Sequence, residues 1–270
     1  MHPLRAIQAA ALTASLAVLL TGCGSRQASH TLSGVVLRAD VVGGHGPGAG
    51  FTTLPGLVVS ADGAAIIPGA VFAIYPGAAM PSLLVGQLAP ADLQQLVDNA
   101  RGAGLADPKT DFGRLPAGDQ SHVVVTLSAD GRSVSVDIPG ATVASTVLTP
   151  AQASARKRVF DLLDSVATRV PVGNAHPYRP ASVAVMSRTI DSVRAQAPPV
   201  EWPGLSTPVD WPLASMPASD SCAVYDGSDA AKVLAAAASA TELTTWGHGG
   251  RVVGAYFRPL TPGDRGCAVA

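Results

Sequence analysis

Ser154-Ala155-Arg156-Lys157 sets a hydroxyl and an amine three positions apart, the spacing at which a lysine activates a serine for acyl transfer. That chemistry needs the serine at the start of a helix and two further polar elements later in the chain. The nearest matches are Ser219-Asp220-Ser221 and Lys109-Thr110-Asp111. Neither has the right residues, and the second precedes the serine. Ser154 also falls a full turn inside its helix, so an exposed helical surface is the plainer reading. Gly43-Gly44-His45-Gly46-Pro47-Gly48-Ala49-Gly50 offers GxG spacings after a strand, as a pyrophosphate cradle does. Such a cradle opens directly into a helix, and Phe51-Thr52-Thr53-Leu54-Pro55 does not read as a helix start. A flexible connection is expected there.

The histidines carry no stronger signal. His248, in Gly247-His248-Gly249-Gly250, has no G-x-S-x-G serine to serve and reads as an exposed residue of a tight turn. His30, His45, His122 and His176 form no HxH, HxxxH or HExxH pattern, so no zinc site is expected. Asp107, Asp111 and Asp119 share a loop without calcium-loop spacing. Glu201 and Glu242 are the only glutamates, and nothing in the sequence sets either opposite a second carboxylate. The sequence assigns no catalytic residue, no metal and no cofactor.

The remaining candidate is aromatic. Val200-Glu201-Trp202-Pro203 is echoed by Val209-Asp210-Trp211-Pro212, and Trp202 and Trp211 are two of the 3 tryptophans. Exposed, these rings would stack on sugars or grip a partner peptide. Buried, they would pin a proline-stiffened strap to the core, which is the plainer reading.

The elements that position these residues follow from pattern and punctuation. Gly34 to Val42 is rich in valine and reads as a strand. Two hairpins share an Asp-Gly turn: Leu57 to Ile67 around Asp62-Gly63, and Val123 to Ile138 around Asp130-Gly131. In the second, Val134, Val136 and Ile138 alternate with Ser133, Ser135 and Asp137, predicting one buried face and one wet face. Each hairpin is followed by a helix opening at a proline. After Pro90 come Leu93, Leu96, Val97 and Ala100. After Thr149-Pro150, with Gln152 completing a capping box, come Ala155, Val159, Leu162, Leu163 and Val166. The recurrence is a weak architectural repeat. Prolines between Ala197 and Pro217 exclude regular helix and central strand. A strand (Cys222 to Tyr225), a helix capped by Ser228 and a hairpin from Leu243 to Arg258 complete the chain. The fold expected is α+β: antiparallel hairpins forming one or two sheets, with about three amphipathic helices packed on a face.

The amino terminus reads as an export address. Arg5 precedes an uncharged, largely apolar stretch from Ala6 to Leu20, short of the roughly 20 apolar residues a bilayer span needs. It closes with Leu20-Thr21-Gly22-Cys23, which resembles the lipobox of bacterial lipoproteins. That resemblance implies cleavage before Cys23 and a diacylglyceryl group on its sulfur, with acyl chains holding the body on a membrane. The alternative is an ordinary signal peptide with an incidental cysteine. Lipidation of Cys23 leaves Cys222 and Cys267 as an even pair in an oxidising compartment, where a structural disulfide is expected. Two buried free thiols are the alternative. The expected organisation is a signal peptide (1–22), a lipidated tether (23–33), a main α+β unit (34–196), a proline-rich strap (197–217) and a C-terminal α+β unit closed by the disulfide (218–270).

Composition narrows the class. With 18 Lys+Arg against 19 Asp+Glu, a net charge of -1 and only 14% charged residues, neither phosphate neutralisation nor a polybasic membrane surface is supported. No nucleic-acid partner is expected. An apolar content of 47% excludes a wholly disordered chain. Gly43-Gly44 after the first strand, Pro55 before the Asp62-Gly63 hairpin and Tyr75-Pro76-Gly77 go together with Leu93-Gln94-Gln95-Leu96-Val97-Asp98-Asn99-Ala100-Arg101 ahead of Ala103-Gly104-Leu105. From about Gly34 to the C-terminus this order resembles a family of actinobacterial secreted proteins and lipoproteins of unknown function. The resemblance implies a cell-envelope setting and supplies no catalytic residues. The function expected is a non-enzymatic binding or accessory lipoprotein on the outer face of the cytoplasmic membrane, meeting an envelope protein or glycan. The alternative is an extracytoplasmic hydrolase whose Ser, His and Asp come from scattered loops.

Overall fold

The structure is a computed structural model; it describes residues 29–43, 49–71, 74–115, 121–140, 147–170, 175–190 and 207–268. Cys23 and Trp202, with His45, Asp119 and Glu201, lie outside the described residues. The chain is α+β, with two sheets. Strands β1 (Val35–Val42), β2 (Pro55–Ser60), β3 (Ala64–Pro68), β4 (Leu83–Gln87), β5 (His122–Ala129), β6 (Arg132–Pro139) and β7 (His176–Pro177) form the first, in the order β6-β5-β1-β2-β3-β4-β7. Strands β8 (Ser182–Arg188), β9 (Val209–Asp210), β10 (Cys222–Asp226), β11 (Thr245–His248) and β12 (Arg251–Pro259) form the second, in the order β10-β8-β12-β11-β9. All pairings are antiparallel except β9 with β11.

Both Asp-Gly hairpins form. At the second, Asp130 and Gly131 have φ of 54° and 70°, the left-handed pair that a two-residue turn needs to follow the strand twist. Helix α2 (Pro90–Gly102) buries Leu93, Leu96, Val97 and Ala100. Helix α3 (Pro150–Arg169) buries Ala155, Val159, Leu162 and Val166. Both lie over the same face of the first sheet, meeting Leu37, Ala39, Val125 and Leu127. Burial stabilises by about 1.5–3 kcal/mol for each large apolar side chain. The capping box at Thr149 forms as expected: the Gln152 N–H donates to Thr149 Oγ1 at 3.3 Å, and the Thr149 N–H to Gln152 Oε1 at 2.9 Å.

The second sheet carries helix α4 (Gly227–Ala238), whose Ala230, Val233 and Ala237 pack with Val183, Val185, Trp246 and Phe257. The expected disulfide joins Cys222 to Cys267 across 45 positions, with Cα atoms 5.8 Å apart. Among the described residues three amphipathic helices are present, shared between the two sheets, within the one or two sheets expected. A single helical turn, α1 (Ala49–Thr52), is added where the glycine-rich connection was expected to lead into no helix.

Several local expectations are corrected. Strand β8 falls inside 34–196 but lies second in the C-terminal sheet, so the sheets do not divide at the strap. The strap, by contrast, keeps to its expectation of no central strand: Val209–Asp210 form a two-residue strand at the sheet edge. Helix α4 has Asp226, not Ser228, at its N-cap position. His248 ends β11 opposite Arg251, and Gly249-Gly250 alone make the turn, with φ of 57° and 77°. On β6 only Ile138 is fully buried and Val134 is exposed, because this edge strand extends past the helices that cover the sheet. The described end of the tether, 29–33, is docked: Leu32 packs on the core and the Asp130 N–H donates to the Thr31 carbonyl at 2.9 Å.

Candidate functional site

The face of the first sheet that α2 and α3 leave open changes character from one side to the other. Register places Ser135, Thr126, Arg38, Val58, Ile66 and Val85 in one row across β6, β5, β1, β2, β3 and β4. Its apolar half, with Leu83, is covered by Leu54 and Tyr178. The end of the second sheet lands beside it, where the Tyr178 hydroxyl donates to the Leu260 carbonyl at 3.0 Å. The polar half stays open. Between it and the tail after β12 lies a groove of about 550 Å³, within the range of small-molecule sites.

The groove floor is a ladder of hydroxyls. Thr126 and Ser135 bond across β5 and β6 at 2.8 Å, and Ser128 and Ser133 at 3.0 Å. Farther along, His122 Nδ1 lies 2.6 Å from Asp137 Oδ1. These pairs are cross-strand neighbours because side chains alternate with period two.

Two arginines stand at the inner wall. Arg38 is saturated: Nε donates to Asp40 at 2.8 Å, Nη1 to Thr261 Oγ1 at 3.1 Å and to the Pro262 carbonyl at 3.0 Å, and Nη2 to Asp264 at 3.0 Å. Burial opposes its charge, but Asp40 and Asp264 outweigh burial and hold the guanidinium above its ordinary value. Arg258 is different. It is 5% exposed and lies over the Phe51 ring at 5.1 Å, which the α1 turn presents. Its Nη2 donates to the carbonyls of Gly266 and Ala268, and its Nε has no partner. Among the described residues no carboxylate is within ion-pair distance of it. Burial, with Arg38 nearby, pushes its pKa down, and Asp264 only partly offsets this. The Cys222–Cys267 disulfide ties down the segment whose carbonyls hold Arg258.

A second polar cluster lies where the β5–β6 turn meets α2. His30, 8% exposed, places Nε2 2.9 Å from Asp98 Oδ1 and Nδ1 2.9 Å from Asp130 Oδ2. Two carboxylates can both accept only when both ring nitrogens carry protons, so the arrangement favours the imidazolium form. The hydrogen bonds to Asp98 and then Asp130 hold its pKa above the ordinary value. Asp130 also accepts from the Thr31 N–H at 2.8 Å and from Arg101 at 2.6 Å, and its own pKa falls to about 2, through Thr31 first and His30 next. The carboxylates sit on opposite sides of the ring and do not converge; among the described residues no group of three His, Cys, Asp or Glu could hold a metal ion.

The residues singled out by sequence fare unevenly. Trp211 is 5% exposed, 5.6 Å from Trp246 and 6.5 Å from Phe257 between ring centroids, and its Nε1 donates to the Ser215 carbonyl. It pins the strap and offers no binding surface. Ser154 accepts from Arg158 at 3.1 Å and Lys157 pairs with Asp161 at 2.7 Å, both on the exposed side of α3. Asp111 accepts from the Gly113 N–H and from Gln152, fastening its loop to α3. Sequence reasoning missed His30, Arg38 and Arg258, whose partners are 68, 100 and 226 positions away for the first two. The alternation of Ser133 and Ser135 did carry a signal for the wet face. No protein-family model, curated protein or solved structure matches this chain, so the groove and the clasp at His30 are what its function is argued from.

Proposed function

We propose that the protein is a lipid-anchored cell-envelope lipoprotein, of the actinobacterial kind its motifs resemble, that binds an envelope component in the groove without chemical turnover. The hydroxyl ladder carries this reading: its four hydroxyls are bonded to one another in pairs, not to an imidazole that would activate them. The lipobox supports the anchor, and the disulfide suits an exported domain. Seven residue steps separate Cys23 from His30, so a lipid on Cys23 would keep the clasp within about 25 Å of the bilayer. The β5–β6 turn would then face the membrane and the other sheet end would face outward.

The test has two parts. Cys23→Ala should move the protein from the membrane pellet to the medium or leave it as precursor; a mature-sized protein still in the pellet rejects the anchor. In-cell crosslinking of the anchored form should recover an envelope component that the unanchored form loses. A hydrolase remains the second reading because the His122–Asp137 pair is the base-and-orienter half of a triad. Turnover of an ester or amide that His122→Gln abolishes would establish it.

A further inference from the structure

We infer that the groove takes a hydroxyl-rich ligand bearing one anionic group, a carboxylate or a phosphate, with the anion seated at Arg258 and the hydroxyls laid along the β5–β6 ladder. This deepens the binding reading above and rests on it.

The first argument is charge. A guanidinium removed from water costs several kcal/mol unless an opposite charge and full hydrogen bonding compensate it. Arg258 has neither: its Nε is unpartnered, and the nearby anions Asp40 and Asp264 are held by Arg38. Two other buried arginines lie away from the groove. Arg156 donates from Nε to the Phe112 carbonyl at 2.6 Å and from Nη2 to the Gly113 carbonyl, and lines no groove. Arg188 lies over the Tyr256 ring at 3.9 Å and bonds its hydroxyl. Arg258 alone of these three borders the groove. Arg265, exposed and without a described partner, stands at the same wall, so three guanidiniums meet two carboxylates there.

The second argument is hydrogen-bonding capacity. Within a hydroxyl pair one proton is used internally, leaving one donor and several lone pairs free to face a ligand. Register sets Thr126 directly beside Arg38 and Ser135 one strand farther. The polar floor therefore spans about 10 Å, roughly the width of one or two sugar rings. A neutral polyol would leave Arg258 unmatched, and a simple anion would leave the ladder unused.

The test titrates the full-length protein in detergent micelles with glucose 6-phosphate, glucuronate, glucose and inorganic phosphate. The two hydroxylated anions should each bind about tenfold or more tighter than glucose and than phosphate. Whichever of them binds tighter identifies the anion as phosphate or carboxylate. Arg258→Gln should weaken both by about tenfold or more while glucose is unaffected. Should that variant fail to fold, Arg265→Gln with Ser135→Val, both at exposed positions, should weaken both anions about threefold. Equal affinity for glucose and the anions, no binding of any probe, or variants that bind as the parent does would each overturn the assignment. Membrane anchoring through Cys23 is read independently of the groove. A crosslinked neutral glycan at the groove would keep the binding reading and overturn this one.

Discussion

Two of the protein's buried cations, His30 beside the β5–β6 turn and Arg258 on β12, are held differently. His30 is met on both ring nitrogens by carboxylates and joins the tether's end to α2 and the β5–β6 turn. Arg258 is met by the Phe51 ring and by carbonyls of a disulfide-held tail, with no carboxylate partner among the described residues, and borders the groove. A fully compensated charge acts as a rivet, since it repays its desolvation within the fold. An uncompensated charge adds little to stability and is useful only to something that arrives later.

The largest expected effect strikes the wall around Arg258. Cys222→Ser with Cys267→Ser should cost about 4 kcal/mol by loop-closure entropy, seen as a lower denaturation midpoint than the parent's. Protection of amides in 261–268 should fall with it. If that segment stays protected, its docking does not depend on the disulfide, and the contrast with the clasp weakens.

Next comes the rivet itself. His30→Ala removes two charge-assisted hydrogen bonds from carboxylates that are each about a third exposed to solvent, at a cost of about 1–2 kcal/mol. By contrast Arg258→Met should change stability by less than about 1 kcal/mol, because an apolar chain of similar length replaces an uncompensated charge. Denaturant unfolding of both variants decides it; equal losses would erase the distinction between the two cations.

The clasp should also respond to pH with a defined sign. The His30 pKa is raised on folding, so its contribution is complete below the unfolded value of about 6.5. It is lost as pH rises through the folded value. Asp130 is shifted the other way: its contribution is present above the ordinary carboxylate range and lost as pH falls towards about 2. Hydrogen exchange at Thr31 should therefore accelerate on the alkaline side beyond its intrinsic pH dependence, and His30→Gln should abolish that excess. An unchanged profile in His30→Gln would show that the ring is not the titrating group. The smallest effect belongs to Ser154→Ala, on the exposed side of α3, which should shift stability by no more than about 0.5 kcal/mol and leave ligand binding intact.

Local pattern made the Asp-Gly hairpins, the two proline-initiated helices and their buried faces legible, because each depends on residues within a turn or two of one another. The pairing of Cys222 with Cys267 was legible by arithmetic once Cys23 was assigned to lipid. Placement was not. That Trp211 would be buried to pin the strap was expected, but its partners Trp246 and Phe257 come from a hairpin beyond α4 and are set by the tertiary fold. Residues 23–33 were expected as a lipidated tether, and the aspartates that dock His30 lie on elements far along the chain.

The sequence by itself determined the kinds of element, their order and the cysteine pairing, since these rest on short-range periodicity, turn chemistry and composition. Only the tertiary structure decided that β8 belongs to the C-terminal sheet, that His30 is clasped and that Arg258 is left unmatched beside a groove. Those outcomes depend on which strands become neighbours and which charges meet after burial, and no interaction between adjacent residues sets either.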